Sequence, residues 1–429
     1  MSTNRSRRIR AFVVLMLVLV MSGVLTSVTA VAQNEELNVS YMQSGTYDKA
    51  AEELAPQFEQ QNNIKVNVAA FPWAVLRQNN TTDLLTGTGA YDVMSGGYYL
   101  ADVYDYFAPL TQYIKDSNYG QGMIPGLMDP GRSEWYKGEQ IGIPYGIDAY
   151  GLMVNNDLLS QAGVTPDFAT WDDFLAACKT IVEKLPDVAC FSHSTGNPEQ
   201  IGAFFFSGYD GTYVNKDGQY ELETDKAVQV AALLPELWKY LPPQGQALTF
   251  DEANQVFMDG KAAMLVTWPS FASTALDSDT SGVKGKWSQV KFPGSGFPWL
   301  SLWQSFVPKT TKDKDAAWKW IQFYAGEANA KDLYTKYGIG SVWQSTYEDK
   351  DLAAQHAHQW PALVGDFARA KNPPLSGEAQ DFLTNTLVEI ATGQKTAQDG
   401  INQVNEKWKT IPVPAALLET AAAAGFQAK

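Results

Sequence analysis

The sequence predicts an α/β protein of two lobes, each built on a mixed sheet, and three observations lead there. Strand-like and helix-like segments alternate between Leu37 and Met94, which implies neighbouring parallel strands. The chain has 429 residues, more than one compact core holds. No low-complexity linker divides it, apart from an Ala-rich tail after Pro414, so the chain is expected to cross between the lobes several times.

The elements come in a clear order. Residues 37–41 alternate as a first strand, and the loop 42–47 leads into a helix over 48–62. Residues 64–70 alternate again, 73–85 read as a helix ended by Gly87-Thr88-Gly89, and 91–94 form a third strand before Ser95-Gly96-Gly97-Tyr98. Residues 157–160, 171–185, 226–240 and 250–259 read as helices. Thr170 with Asp173 three positions on makes a capping box, and Pro235 argues for a break or kink in its segment. Gly260 closes the helix before it. The uncharged run 262–266 is short, as a strand buried on both faces should be. Trp268 then stands beyond its carboxyl end, where open α/β sheets hold ligands. Gly and Pro gather over 292–298, a loop before the segment 299–307.

The N-terminus reads as an export signal over residues 1–32. Arg5, Arg7, Arg8 and Arg10 precede an apolar run from Ala11 to Val20, and Ala30-Val31-Ala32 offers small residues for cleavage before Gln33. The run is short for a membrane span, which needs about 20 residues. Arg7-Arg8 invites a twin-arginine signal, but the residues after the pair fit ordinary secretion better. No Cys lies near the cleavage point, so no lipid anchor is expected. The net charge of −15 grows more negative once the four arginines leave, which argues against nucleic acid and anionic ligands. The two cysteines, Cys178 and Cys190, fall in a helix and in the short apolar segment 188–191. A helix folding back on that segment brings them together, and an oxidising compartment favours a disulfide over two separate buried thiols.

Several motifs share a resemblance. They are Gly260-Lys-Ala-Ala-Met-Leu-Val-Thr-Trp-Pro-Ser-Phe271, Ile141-Gly-Ile-Pro-Tyr-Gly-Ile-Asp148 and Leu152-Met-Val-Asn-Asn-Asp-Leu158. Ala162-Gly163, Thr170-Trp-Asp-Asp-Phe174, Phe306-Val-Pro-Lys309 with Ala316-Ala-Trp-Lys-Trp-Ile321, and the segment 393–408 continue the series. In this order they resemble the family 1 extracellular solute-binding proteins, the sugar-capturing subunits of bacterial ABC importers. The resemblance implies a periplasmic-binding-protein fold with about three inter-lobe crossings, near residues 145–151, 303–306 and 345–349. It implies a first lobe of 33–147 with 305–345 and a second of 148–304 with 346–429. It implies a monomer that hands its ligand to membrane permease subunits, with no cofactor. A freely diffusing binding protein without a lipid anchor implies the periplasm.

Aromatic residues make up 12% of the chain, with 13 tryptophans, and sugars present C–H faces to such rings and hydroxyls to Asp, Asn, Gln, Ser or Arg. Trp268 follows the buried strand. Trp303 stands where relatives often carry a sugar-stacking tryptophan, and Asp148 where the maltose-binding relative places a sugar-binding carboxylate. Both tryptophan rings are expected to be partly solvated without ligand. Tyr145 precedes Asp148 and is also suited to hinge packing. The loops after the first and third strands offer Ser44, Gly45 and Tyr47, and Ser95, Gly96 and Tyr98. Trp73 opens a helix as an outer stacking platform, and Trp299, Trp343 and Arg369 are further candidates. Trp171, Trp318 and Trp320 read as core. Ser95 and Tyr98 depart from the aromatic and the carboxylate of the maltose-binding relative, which leaves a small neutral carbohydrate or polyol open as the ligand. Three histidines without zinc spacing, and no nucleophile elbow or phosphate loop, leave one enzymatic alternative: a secreted carbohydrate-active hydrolase using a carboxylate pair. A scaffold or adhesion protein is the third reading.

Overall fold

The computed structural model describes residues 35–43, 46–243, 245 and 247–429. The expected export signal, Ser44 and Gly45 lie outside the described residues. The first strand, β1 (Glu35–Met42), is followed by α1 (Tyr47–Asn62), β2 (Ile64–Phe71), α2 (Trp73–Thr86) and β3 (Val93–Gly96). β1 pairs in parallel with β2 and with β3, as strand–helix–strand alternation requires. Two later strands, β4 (Gly142–Ala149) and β9 (Leu300–Phe306), complete a five-stranded sheet in the order β2-β1-β3-β9-β4. β9 runs antiparallel to both neighbours, so the sheet is mixed.

The second lobe has a four-stranded sheet, β8-β5-β7-β6, built from β5 (Gly151–Asn155), β6 (Ala189–His193), β7 (Ala262–Thr267) and β8 (Trp287–Val290). β7 lies between β5 and β6, and all six of its residues are buried, which is why its sequence is an unbroken apolar run ending in Thr. The helix α3 (Trp171–Lys184) starts on the Thr170–Asp173 capping box. α4 (Phe250–Met258) starts on a second box, Thr249 with Glu252. Gly260, at φ 70°, takes the left-handed turn between α4 and β7. The segment 226–240 divides as expected: one helix ends at Ala231, and Pro235 opens the next in its first turn. Cys178 on α3 and Cys190 on β6 are joined by a disulfide with Cα atoms 4.9 Å apart.

The chain first passes between lobes at Tyr150, between β4 and β5. The return lies earlier than expected. β9 pairs with β4 from Leu300–Ala149 to Phe306–Gly142, so residues 300–304 sit in the first sheet and the crossing occupies 291–299. α6 (Lys314–Tyr324) and α7 (Glu327–Tyr337) cover the first lobe. The third link runs through 338–359, where Gly340 O accepts from Ile147 N at the end of β4. α8 (Trp360–Arg369) then packs over β4 and β8, and α9 (Gly377–Ala391) and α10 (Ala397–Trp408) pack together in the second lobe.

The Ala-rich tail is a helix, α11 (Ala415–Ala424), and it makes a fourth link. Ala416 and Leu417 are buried against Leu100, Tyr104 and Phe306 of the first lobe. Phe426, just beyond, packs on Tyr213 and Phe297 of the second, and its carbonyl accepts from Tyr213 N and Val214 N. Among the described residues no helix is long and apolar enough to cross a membrane.

Candidate ligand-binding cleft

A cavity of about 860 Å³ opens between the lobes, at the carboxyl ends of β1, β3 and β7 and along the start of β9. Its first-lobe wall is aromatic. Trp73, at the start of α2, sets its ring 4.3 Å from that of Tyr99 and 5.7 Å from that of Trp303, and Tyr47 lies 5.1 Å from Trp303. Trp73 is 39% exposed, whereas Trp303 is 8%. The facing wall comes from the second lobe. Trp268 follows β7 and immediately precedes α5 (Pro269–Leu276), and its ring lies 5.7 Å from Trp299. Tyr150 backs both rings, 4.4 Å from Trp268 and 6.2 Å from Trp299. Trp268 is also only 8% exposed, so Trp268 and Trp303 are more deeply packed than the expectation of partly solvated rings allowed.

Asp148, 3% exposed, lies at the end of β4. Its carboxylate accepts from Ala149 N at 2.9 Å and from Ser270 N, in the first turn of α5, at 2.9 Å. Burial pushes its pKa up to about 7, against the opposing bonds from Ser270 and Ala149. Asp148 thus ties the first crossing to the second lobe and also faces the cavity. Across the mouth, Tyr98 Oη donates to Gln380 Oε1 on α9 at 3.2 Å, a direct contact between lobes.

The structure does not bring every expected residue to the cavity. Ser95 is buried behind it, with its hydroxyl 2.5 Å from that of Tyr145. Tyr145 itself packs among Tyr41, Tyr47 and Tyr324, supporting Tyr47 from below. Trp343 lies in the cluster over the third link, its indole donating to Ala325 O at 2.8 Å. Arg369 pairs with buried Asp366 at 2.9 Å and donates to Phe292 O, which pins the second crossing instead of reaching the cleft. Gly96 does line the cavity, and a Cβ there would push on the end of the Leu100 side chain.

Other lining residues escaped the sequence reading. Arg77 projects from α2; Glu199 and Gln200 come from the 3-10 turn Pro198–Ile201; Asp251 and Asp381 stand at the rim on α4 and α9. The turn follows β6, so the rule that put the loops after β1 and β3 in the cleft could have found it. With Asp148, four carboxyl groups and one guanidinium of the described residues line the space. Among the described residues no group of three or more His, Cys, Asp or Glu could hold a metal ion.

The family model for bacterial extracellular solute-binding proteins matches residues 43–331. The chain belongs to that family. As a solute-binding protein it is 25% identical over 299 residues to the mannitol-binding protein of Pseudomonas aeruginosa, covering 65% of this chain and 67% of the relative. In fold it is similar to the maltose-bound MalE3 of T. maritima, with TM-score 0.75, 21% identity, and 87% of this chain and 99% of the other covered. It is similar also to a ribitol complex of an ABC transporter solute-binding protein from Agrobacterium radiobacter K84, with TM-score 0.74, 20% identity, and 88% and 98% covered. The family consists of binding proteins of the cell exterior, and the comparisons lend no support to the hydrolase reading of this solute-binding protein.

Proposed function

We propose that this protein captures a neutral sugar or polyol in the inter-lobe cleft, in the periplasm and as a monomer, and delivers it to the permease of an ABC importer. The observation that carries the proposal is the pairing of two aromatic walls with an acceptor-rich, acidic lining in one cavity. Ring faces of Trp73, Trp303, Trp268 and Trp299 suit the C–H faces of a sugar, and carboxylates accept strong hydrogen bonds from its hydroxyls. The same lining disfavours anions, since among the described lining residues Arg77 alone offsets Glu199, Asp251 and Asp381. Mannitol and maltose are what similar proteins bind by name. Contacts from both lobes meet one ligand only in a closed state, so the ligand shifts the population toward it.

Calorimetric titration with neutral sugars and polyols, and with the matching uronates and sugar phosphates, tests this reading. Heat of binding with a neutral compound and none with its anionic counterpart is the expected result; preference for the anion overturns it. Small-angle scattering should also show a more compact particle with the bound ligand.

Asp148 makes a pH prediction. Its pKa in the folded chain, about 7, stands above the ordinary 3.8. The folded protein therefore holds a proton that the unfolded chain releases between those values. The contribution of Asp148 to stability falls as pH rises through that window and levels off above it. Buried Glu134 and Asp366, raised to about 7 and about 6, act in the same sense, so the measurement is a comparison. Relative to wild type, Asp148→Asn should gain stability as pH rises from about 4 to about 7, read by urea denaturation across that range. A difference that does not move with pH contradicts the assignment.

A further inference from the structure

Gln200 is 6% exposed and lines the cleft from the turn after β6. Two donors converge on one atom of its amide. Tyr150 Oη donates to Gln200 Oε1 at 2.6 Å, and Trp268 Nε1 donates to the same oxygen at 2.9 Å. An amide nitrogen in that position would face the indole N–H, which can only donate, so the chemistry fixes which way the amide points. The NH2 group is thereby turned toward Glu199, and Gln200 Nε2 donates to Glu199 Oε1 at 3.1 Å. The turn that carries this amide is itself held in place: Gln200 N donates to Asn197 O at 3.0 Å, and the turn packs on α9. One side chain thus joins the residue of the first crossing, Tyr150, to a ring of the ligand wall and to a carboxylate of the lining.

We infer that Gln200 is a positioning residue, which sets the Trp268 ring in its ligand-receiving orientation through the indole N–H. That N–H has no other hydrogen-bond partner among the described residues. Tyr150 packs against the ring 4.4 Å away and is locked by the same oxygen, so ring and backing move as one block. Without the shared acceptor both donors are left buried and unpaired, and the ring loses the one directional bond that sets its orientation within its packing. A wall set in advance spares the ligand the cost of ordering it. The inference rests on the proposal that the cleft binds a sugar or polyol.

A double-mutant cycle on the full chain tests it, using a neutral sugar or polyol found to bind the wild type. Gln200→Met keeps the bulk of the side chain and removes the acceptor. Affinity by calorimetry should fall about tenfold, the worth of one buried hydrogen bond. In a Trp268→Ala background the same change should cost almost nothing, because its effect travels through the absent ring. Equal losses in both backgrounds would mean that Gln200 meets the ligand directly, and would overturn the inference. Unchanged affinity with a lower melting temperature would mean a purely structural role, and would overturn it too. Should Gln200→Met fail to fold, Trp268→Phe removes the donor and keeps a ring; it should weaken binding by a similar factor, and undiminished affinity there is contrary. Failure of every neutral compound to bind the wild type refutes the sugar proposal instead, a result distinct from all of these.

Discussion

Trp73→Ala should weaken ligand binding by about 2 kcal/mol, roughly thirtyfold, the usual cost of truncating an aromatic anchor. Its ring stands 39% exposed at the mouth of the cleft, held at its edge by Tyr99 and Trp303. It is the most exposed of the cleft tryptophans, so the melting temperature of the unliganded variant should fall less than in variants at Trp268 or Trp303. Trp268→Ala and Trp303→Ala should behave differently. Both rings are 8% exposed and belong to the cores of their lobes. Removing either leaves a cavity as well as a missing ligand contact, and cavities of that size cost about 3–5 kcal/mol. Affinity and stability should fall together in those two variants. Calorimetry and thermal melting of all three separate the effects. Unchanged affinity in well-folded Trp73→Ala would remove the outer platform from the account.

The disulfide carries the other large effect. Cys178 and Cys190 are fully buried in the core of the second lobe, and their bond closes a loop of 12 residues in sequence separation. Opening it should cost about 3 kcal/mol in the chain-entropy account. Urea unfolding of oxidised and reduced protein, followed by the same probe, reads the difference. Neither cysteine lines the cleft, so a ligand should bind the reduced, still folded protein with unchanged affinity. Thiol counting on denatured, unreduced protein should find none free. Two free thiols would contradict the pairing, and equal midpoints would contradict its weight.

Much of this arrangement is legible in the residues, for identifiable reasons. The Gly260 turn, the uncharged run over 262–266 and the aromatic after it locate Trp268, because a doubly buried strand must be apolar and must end where solvent returns. Thr170 with Asp173 and Pro235 mark helix ends through local chemistry alone. Tertiary partners are harder to read. Tyr145 and Trp343 have the residue types of a sugar site, but their hydroxyl and indole N–H are consumed by Ser95 and by Ala325 O inside the protein. Arg77 sits on a helix with little segregation of polar and apolar faces, so nothing in the sequence turns it toward the cleft. Glu199 and Gln200 occupy a single turn too short for periodicity. The C-terminal helix buries Ala416, Leu417 and Ala421, but alanines on its other faces blur the apolar stripe, so it passes for a tail. The second crossing shifts because the pairing of β9 with β4 is a long-range choice that the local sequence does not record.

The role proposed for the cleft depends on its holding a neutral polyhydroxylated ligand. A thermal-shift screen of monosaccharides, disaccharides, oligosaccharides, polyols and glycosides on the purified protein tests it most directly. A compound that binds the native fold alone stabilises it by about 2.7 kcal/mol at 100 times its dissociation constant, a readily seen rise in melting temperature. At least one compound in the panel should do so, with the rise reduced in Trp73→Ala. A panel in which no neutral sugar or polyol moves the transition, while an amino acid, peptide or anion does, would contradict that role.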